Sequence, residues 1–466
     1  MQRIPIIRAS ARGSSLDSRP VVAADGRILA SMCEAPALLM PRIVAESRQA
    51  GSQPLAVRHQ LLARAGRLFA DATFDGQSPD DYRRDAAASS GLPAIVFSRA
   101  LAHYASTLAE IGTIVAAQKP RDARPLDDAA APGSAPCAFW VPRGRVLAVI
   151  APGNHPEAHI GWLQALAFGY HVVVKPSIRD VFTPLRLVRS LLAAGLRPGE
   201  ICFAPGDHRA GDALVEAADL ALVYGGAAVA QAYGGDRRVL VRGPGRSKVL
   251  VSAHQPLSEG RVDFLARCVA ADGGTRCTNT SGILVDGDHE AVALSLARAL
   301  ARIPSAVQHD DGAELPVLPR AEATAIRAAF DAARGGAPDL CRGFDSAPVV
   351  EAVSEQTAVL RPAVVPMPSA EAAGFSSEYP FPCVWVAPWQ PADGVAPLRG
   401  SLAVTLLTDD PEILKAALRE PSIRKVFRGE VPTFYSATGL PHDGALGDFL
   451  FESKGFAGSA GASRHD

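Results

Sequence analysis

The stretch from Val146 to Val251 constrains the fold more than any other part of the chain. Short apolar runs recur there at Val146–Ile150, His171–Val174, Ile201–Ala204, Leu220–Tyr224, Val239–Val241 and Val249–Val251. Segments of helical period lie between them: one reaches Phe168, one covers Thr183–Ala194, one lies around Ala210–Ala217, and one follows Gly225-Gly226. A continuous apolar run bounded by turns is the pattern of a strand covered on both faces. Strands alternating with helices of this length need right-handed crossovers, and those build a parallel sheet. The spacing therefore predicts a doubly wound α/β domain, with ligands at the carboxyl ends of its strands.

Residues 258–435 repeat the alternation less regularly. Helices are expected at Arg261–Ala270, Glu290–Ala301, Ala321–Ala333 and Pro411–Leu418, and strands at Gly282–Val285, Cys383–Val386 and Leu402–Leu407. This predicts a second α/β domain. Residues 1–40 read as an irregular lead-in with short strands. Two helices are expected at Ala56–Ala70 and Ala94–Ala117, and a Pro/Ala/Gly-rich loop at 119–136. The expected division is 1–257, 258–435 and a Gly/Pro-rich tail, 436–466, that packs across a domain or subunit boundary.

Composition excludes several classes. The formal net charge of the 466 residues is -1, so no basic field exists for nucleic acid or an anionic membrane. Hydrophobic residues at 48% and charged residues at 20% fit a globular protein. No apolar run approaches the roughly 20 residues that span a bilayer. The seven cysteines are scattered, none in a Cys-x-x-Cys pair, so no metal site is expected. An odd count without an export signal predicts reduced thiols and a cytoplasmic location.

Five segments carry candidate chemistry. Asn154, in Ala-Pro-Gly-Asn-His-Pro, follows the first buried strand, where an amide can donate to a developing oxyanion. Its bland alternative is a turn asparagine. Lys175 ends the run Val-Val-Val-Lys-Pro-Ser177, at the sheet edge where nucleotides bind, or is simply a solvated lysine. Gly225 and Gly226 let phosphate approach a helix N-terminus, or merely turn the chain. Cys277 follows Gly273-Gly274-Thr275-Arg276. Before the strand at Gly282, the glycine turn, the arginine and a nearby helix N-terminus would lower its pKa; a single cysteine otherwise packs inertly. Glu378, in Glu-Tyr-Pro-Phe381-Pro382, could hold a ribose hydroxyl or stand as a surface carboxylate.

These segments, in this order, resemble the aldehyde dehydrogenase superfamily from about residue 60 to 456. The Asn154 loop stands where that family has Pro-Trp-Asn. Val-Val-Val-Lys-Pro-Ser matches its cofactor lysine segment. Tyr224-Gly225-Gly226 stands at its Gly-Ser turn, Arg242-Gly-Pro-Gly-Arg-Ser at Glu-Leu-Gly-Gly-Lys, and Glu378-Tyr-Pro-Phe-Pro at Glu-x-Phe-Gly-Pro. The resemblance implies that Cys277 is the covalent nucleophile and Asn154 its oxyanion donor. It places Lys175, Ser177, Arg179, Gly225, Gly226, Glu378 and Phe381 at a nicotinamide dinucleotide. It also implies a homodimer or homotetramer built through 124–141 and the tail.

The informative departure is Arg242, where hydrolytic members hold the glutamate that activates water. A guanidinium stays protonated and cannot act as that base. The expectation is thus acyl-thioester chemistry: a Cys277 acyl-enzyme formed from acyl-CoA or an acyl carrier protein and reduced by NAD(P)H to an aldehyde. Lys-Pro-Ser-x-Arg-Asp and Pro441-His442-Asp443-Gly444 are similar to the fatty acyl reductase of bacterial luminescence systems. His442 is a candidate proton shuttle or a tail histidine bound to backbone. Ile178 and Arg179, where members often carry a glutamate after the lysine, favour NADPH over NADH. Two alternatives stand beside this reading: NAD(P)-dependent oxidation of an aldehyde to an acid, and a degenerate scaffold subunit.

Overall fold

The computed structural model describes residues 2–458 apart from residues 11, 14, 16, 127–134, 253–256, 311, 373 and 438. Two parallel sheets organise it. The first has seven strands in the order Val239–Arg242, Leu220–Tyr224, Val146–Ile150, His171–Lys175, Ile201–Phe203, Ile6–Ile7 and Arg12–Gly13. The first five are parallel, and the last two run antiparallel at the edge. The strand order reverses beside Val146–Ile150. The chain leaves it for His171–Lys175 on one side and later returns to Leu220–Tyr224 on the other. That reversal opens the crevice in which ligands of open α/β sheets bind. The Asn154 loop and Gly225 flank it.

The second sheet has six parallel strands in the order Ala363–Pro366, Cys383–Pro388, Thr280–Val285, Ser247–Val251, Ala403–Leu407 and Lys425–Arg428. Ser247–Val251 sits at its centre, which corrects the expected domain boundary. The chain crosses between sheets at residues 243–246, not at 257. The apolar run could not show this, because a buried strand reads alike in either sheet.

Both sheets are covered on two faces, as the unbroken apolar runs require. Leu147, Val149, Val172 and Val174 face one core layer with Trp162, Leu166 and Leu191, while Val146, Ala148 and Val173 face another with Ile43 and Leu214. In the second sheet, Leu250, Leu284 and Trp385 pack against Phe330, and Val249, Ile283 and Val386 against Leu265 and Leu296. Arg58, in the helix Leu55–Asp71, is fully buried with Glu200 at 2.6 Å. It also donates to the carbonyls of Leu166 and Tyr170, which ties that helix to the sheet. Breaking such a pair typically costs about 3–5 kcal/mol.

The helix expected over 94–117 is interrupted at Glu110, giving Ala94–Ala109 and Ile111–Ala116. The tail does not simply trail off. Leu446–Leu450 is a short helix whose Leu446 and Leu450 enter the first core. Phe451–Phe456 then pairs antiparallel with Cys137–Pro142, so the tail returns to the first half of the chain. Residues 127–134 of the expected 124–141 assembly segment, and 459–466 of the tail, lie outside the described residues. No helix among the described residues is long and apolar enough to cross a membrane.

Candidate active site

A cleft of about 2220 Å³ lies between the carboxyl ends of the two sheets. That is larger than the roughly 300–1,000 Å³ of an ordinary small-molecule pocket. Asn154, Ser177, Arg179, Gly225, Gly226, Cys277, Glu378, Phe381 and His442 all line it. Strands that end on one edge deliver these residues from distant parts of the sequence.

Cys277 follows the helix Glu259–Ala270 and the tight turn Ala271–Gly274. Asp272, Gly273 and Gly274 all take positive φ, which turns the chain sharply before the cysteine. A Cβ on Gly274 would stand 2.7 Å from the Pro382 nitrogen, so only glycine fits there. Gly245 is equally constrained, since its Cβ would overlap the Cys277 carbonyl. The turn leads into the expected strand, Thr280–Val285, so no helix begins at Cys277. Arg276 differs from expectation. It points away from the thiol to Asp272 and to Glu157, the latter at 2.9 Å.

Burial pushes the Cys277 thiol up to about 11, and Glu378 adds to this, while Lys425 and Arg242 act against it. Cys33, Cys202, Cys268, Cys341 and Cys383 are buried, whereas Cys277 is only partly covered and opens on the cleft. His442 brings Nε2 to 3.7 Å from its Sγ. Asp443 stands 3.7 Å from His442 Nδ1, within ion-pair distance but beyond a hydrogen bond, and 3.2 Å from Arg242. Burial lowers the His442 pKa, with Asp443 opposing and Arg242 assisting, so the ring is neutral near pH 7. Arg242 ends the edge strand Val239–Arg242, in register with Tyr224, whose hydroxyl accepts from it at 2.9 Å. The family's base position is thus filled by a cation already committed to Tyr224 and Asp443.

Asn154 donates one amide hydrogen to the Thr275 carbonyl at 3.0 Å, which holds it over the cysteine loop. The two loops are also tied by charge. Asp272 receives His155 at 3.2 Å, Arg99 at 2.6 Å and Arg276 Nε at 2.6 Å. Glu378 accepts from the backbone N–H groups of Gly245, at 3.0 Å, and Arg246. Phe381 reaches the cleft wall, but its ring is buried against Phe330, with centroids 5.4 Å apart. It belongs to the core more than to a cofactor contact.

On the other side of the cleft, Gly226 is open: a Cβ there would meet nothing within 4 Å. Gly225 packs on Val229 of the short helix Ala227–Tyr233. Ser177 Oγ lies against Gly153, where a Cβ would come within 2.2 Å. Lys175 sits just beyond the cleft lining, its stem over Gly211 and its charge among Asp207, Arg19, Glu34 and Asp212. Arg179 lines the cleft and is half exposed. It is ion-paired with Glu322 of the second domain. A cleft of this volume, lined by Gly225, Gly226 and Ser177 as well as by a thiol, has room for a dinucleotide. Gly225, Gly226, Ser177 and Glu378 would line its path. No group of three potential metal ligands occurs among the described residues.

Two residues of this site escape a sequence reading of function. Lys425 opens the buried strand Lys425–Arg428, and Asp443 is the neighbour of His442. A lysine in a mostly buried strand is the available signal for the first.

Residues 44–395 match the aldehyde dehydrogenase family. The chain belongs to that family. Aldehyde dehydrogenases of this family are NAD(P)-dependent oxidoreductases, which accords with the cleft. N-succinylglutamate 5-semialdehyde dehydrogenase of Chromohalobacter salexigens is 33% identical over an alignment of 166 residues that covers 33% of this chain and 33% of that protein. The chain thus matches about a third of the length of that curated aldehyde dehydrogenase. HpcC from Thermus thermophilus superposes with a TM-score of 0.80 at 19% identity, covering 98% of this chain and 93% of that one. 3,6-anhydro-L-galactose dehydrogenase, solved in complex with NAP, does so at 0.79 and 18% identity, covering 98% and 99%. At these identities the structural likeness establishes the aldehyde dehydrogenase fold.

Proposed function

We propose that this protein oxidises an aldehyde to its carboxylic acid with NAD or NADP, through a thioester on Cys277. The observation that carries the reading is His442 Nε2 at 3.7 Å from Cys277 Sγ, with Asp443 behind it. Arg242 removes the usual base and makes thioester reduction the first expectation. A neutral histidine beside the thiol supplies another base, so release to water no longer depends on residue 242. The semialdehyde dehydrogenase named above supports the same direction.

His442 takes the Cys277 proton, and Asp443 stabilises the imidazolium that forms. The thiolate adds to the carbonyl carbon. The second N–H of Asn154 and the Cys277 backbone N–H face the oxyanion, at about 3 kcal/mol per donor. A nicotinamide dinucleotide held along Gly225, Gly226, Ser177 and Glu378 would supply the hydride acceptor and leave the thioester on Cys277. Once its first proton has passed to solvent, His442 deprotonates water, which adds to the thioester carbon, and the C–S bond breaks to release the acid and the thiolate. Glu378 and Ser177 hold positions along the cofactor path.

Arg179, engaged with Glu322, gives little support to an NADPH preference. The acids around Lys175 (Asp207, Glu34 and Asp212 against Arg19) suit a ribose hydroxyl better than a phosphate. Assembly as a homodimer or homotetramer is part of the proposal, supported by the exposed strand Phe451–Phe456.

The test is turnover of aldehyde with NAD or NADP and no added thiol, with acid measured as product. Stoichiometric acid supports the reading. Absence of acid, together with NAD(P)H oxidation by acyl-CoA or an acyl carrier protein, replaces it by thioester reduction. A Cys277 no more reactive to iodoacetamide than Cys202, with no turnover of either kind, points to a scaffold.

A further inference from the structure

Lys425 has no part in the chemistry above, yet it lines the cleft with a side chain that is only 7% exposed. The charges nearest to it are the Cys277 thiol, Asp443 and Arg242. Among the described residues none forms a hydrogen bond or an ion pair with its ammonium. Asp443 is taken by Arg242 at 3.2 Å, and Glu378 by backbone N–H groups. Lys248, the other buried lysine nearby, is satisfied by the Arg246 carbonyl and Ser401 Oγ, both at 3.0 Å. Lys425 is therefore a largely buried lysine whose ammonium has no hydrogen-bond or ion-pair partner among the described residues, beside the nucleophile. A buried charge is costly unless it is paired, and one aimed into a ligand cleft is paired by the ligand.

The rest of the wall mixes polar groups with apolar ones such as Ile114, Leu318 and Phe434. His103, Thr107, Glu157, Gln118 and Gln164 line the side of the cleft that leads in from the helices at 94–116.

We propose that Lys425 is the anchor for an anionic substituent of the substrate, so that the aldehyde oxidised is a carboxylate-bearing one. The proposal rests on the aldehyde-oxidation reading for its substrate, but the anion site itself does not. The carboxylate oxygens accept from the ammonium while the aldehyde carbon meets Cys277 Sγ.

Two measurements separate the site from the reaction. The first uses iodoacetate and iodoacetamide, alkylating agents of similar shape that differ in charge, with mass-spectrometric mapping and no cofactor. Cys137, the other partly exposed thiol, is the internal reference. The iodoacetate-to-iodoacetamide rate ratio at Cys277 should exceed that at Cys137 by about tenfold or more, the effect of one charge-assisted contact. Lys425→Met should abolish the excess, and Lys425→Arg should keep most of it. Equal ratios at the two cysteines in the parent, or an excess that survives Lys425→Met, overturns the proposal. Equal slowing of both reagents in Lys425→Met with an unchanged ratio means that Lys425 only partners the thiolate, and also overturns it.

The second measurement compares kcat/KM for 4-oxobutanoate and butanal. The parent should favour the carboxylate, chiefly through KM, and Lys425→Met should lose that preference. An anion-selective Cys277 that oxidises neither aldehyde keeps the site and removes the oxidation reading. Equal use of both aldehydes with a flat alkylation ratio keeps the reading and removes the site.

Discussion

Arg242 and Asp443 form an ion pair at 3.2 Å, 201 positions apart in sequence, and through it the middle of the chain anchors the tail over the nucleophile. Asp443 is the neighbour of His442, so the pair sets both the place and the charge environment of the imidazole. Arg242→Met should raise the His442 pKa, because a nearby cation is removed while Asp443 remains. The acid limb of the kcat/KM profile should therefore move to higher pH, and activity near pH 7 should fall about tenfold. Arg242→Lys should restore part of both. A pH profile of Arg242→Met superposable on the parent's would show that the pair is only structural.

His442→Gln separates the two halves of the reaction. Each cycle needs both a thiolate and an activated water, and alkaline pH supplies the thiolate without His442, so the burst is read at alkaline pH. The variant should show a pre-steady-state burst of one NAD(P)H per reactive thiol, followed by steady turnover slower by about 10²–10⁴-fold. Hydroxylamine, which needs no base, should accelerate that slow phase. An unaltered steady rate would remove His442 from the mechanism.

Cofactor choice follows from where Arg179 points. Its guanidinium is held by Glu322, across the junction between the two sheets. Arg179→Ala should thus change kcat/KM for NADP and for NAD by similar factors. Glu322→Ala, which releases the arginine, should improve NADP relative to NAD by about three- to tenfold. Steady-state kinetics with both cofactors decides. A selective loss of NADP use in Arg179→Ala would restore the arginine to the 2′-phosphate.

Several of these residues are visible in the sequence and several are not, for physical reasons. Alternating strands and helices have a short-range signature, so both sheets can be read, and Asn154, Gly225 and Cys277 fall at strand ends or turns that open on one edge. Sheet membership has no such signature, and the apolar pattern therefore puts Ser247–Val251 in the wrong half. His442 stands out by its Pro-His-Asp-Gly context, but its 165-residue reach to Cys277 is a tertiary fact. Arg276 beside Cys277 in sequence suggests thiol activation, yet the turn at Asp272 aims it elsewhere. The cations that face the thiol, Arg242 and Lys425, come from strands in different sheets.

The turn at Asp272 also makes a prediction for acid stability. Its φ of 52° is one that Asn adopts readily, so Asp272→Asn removes charge without new backbone strain. Burial alone would raise the Asp272 pKa, but the hydrogen bond from His155 and the charge of Arg276 outweigh it and hold the carboxyl well below its ordinary value. A depressed folded pKa means that Asp272 contributes stability fully above the unfolded value of about 4, and that this is lost as pH falls toward the folded one. His155, lowered by burial and by Arg276, acts in the same direction from about pH 6.5 downward. Asp272→Asn should cost about 3 kcal/mol near pH 7, because Arg99, Arg276 and His155 lose their shared acceptor charge. The difference in Tm between parent and variant should narrow as the pH is lowered below 4. A gap that stays constant across that range would mean that Asp272 acts through turn geometry and not through its charge.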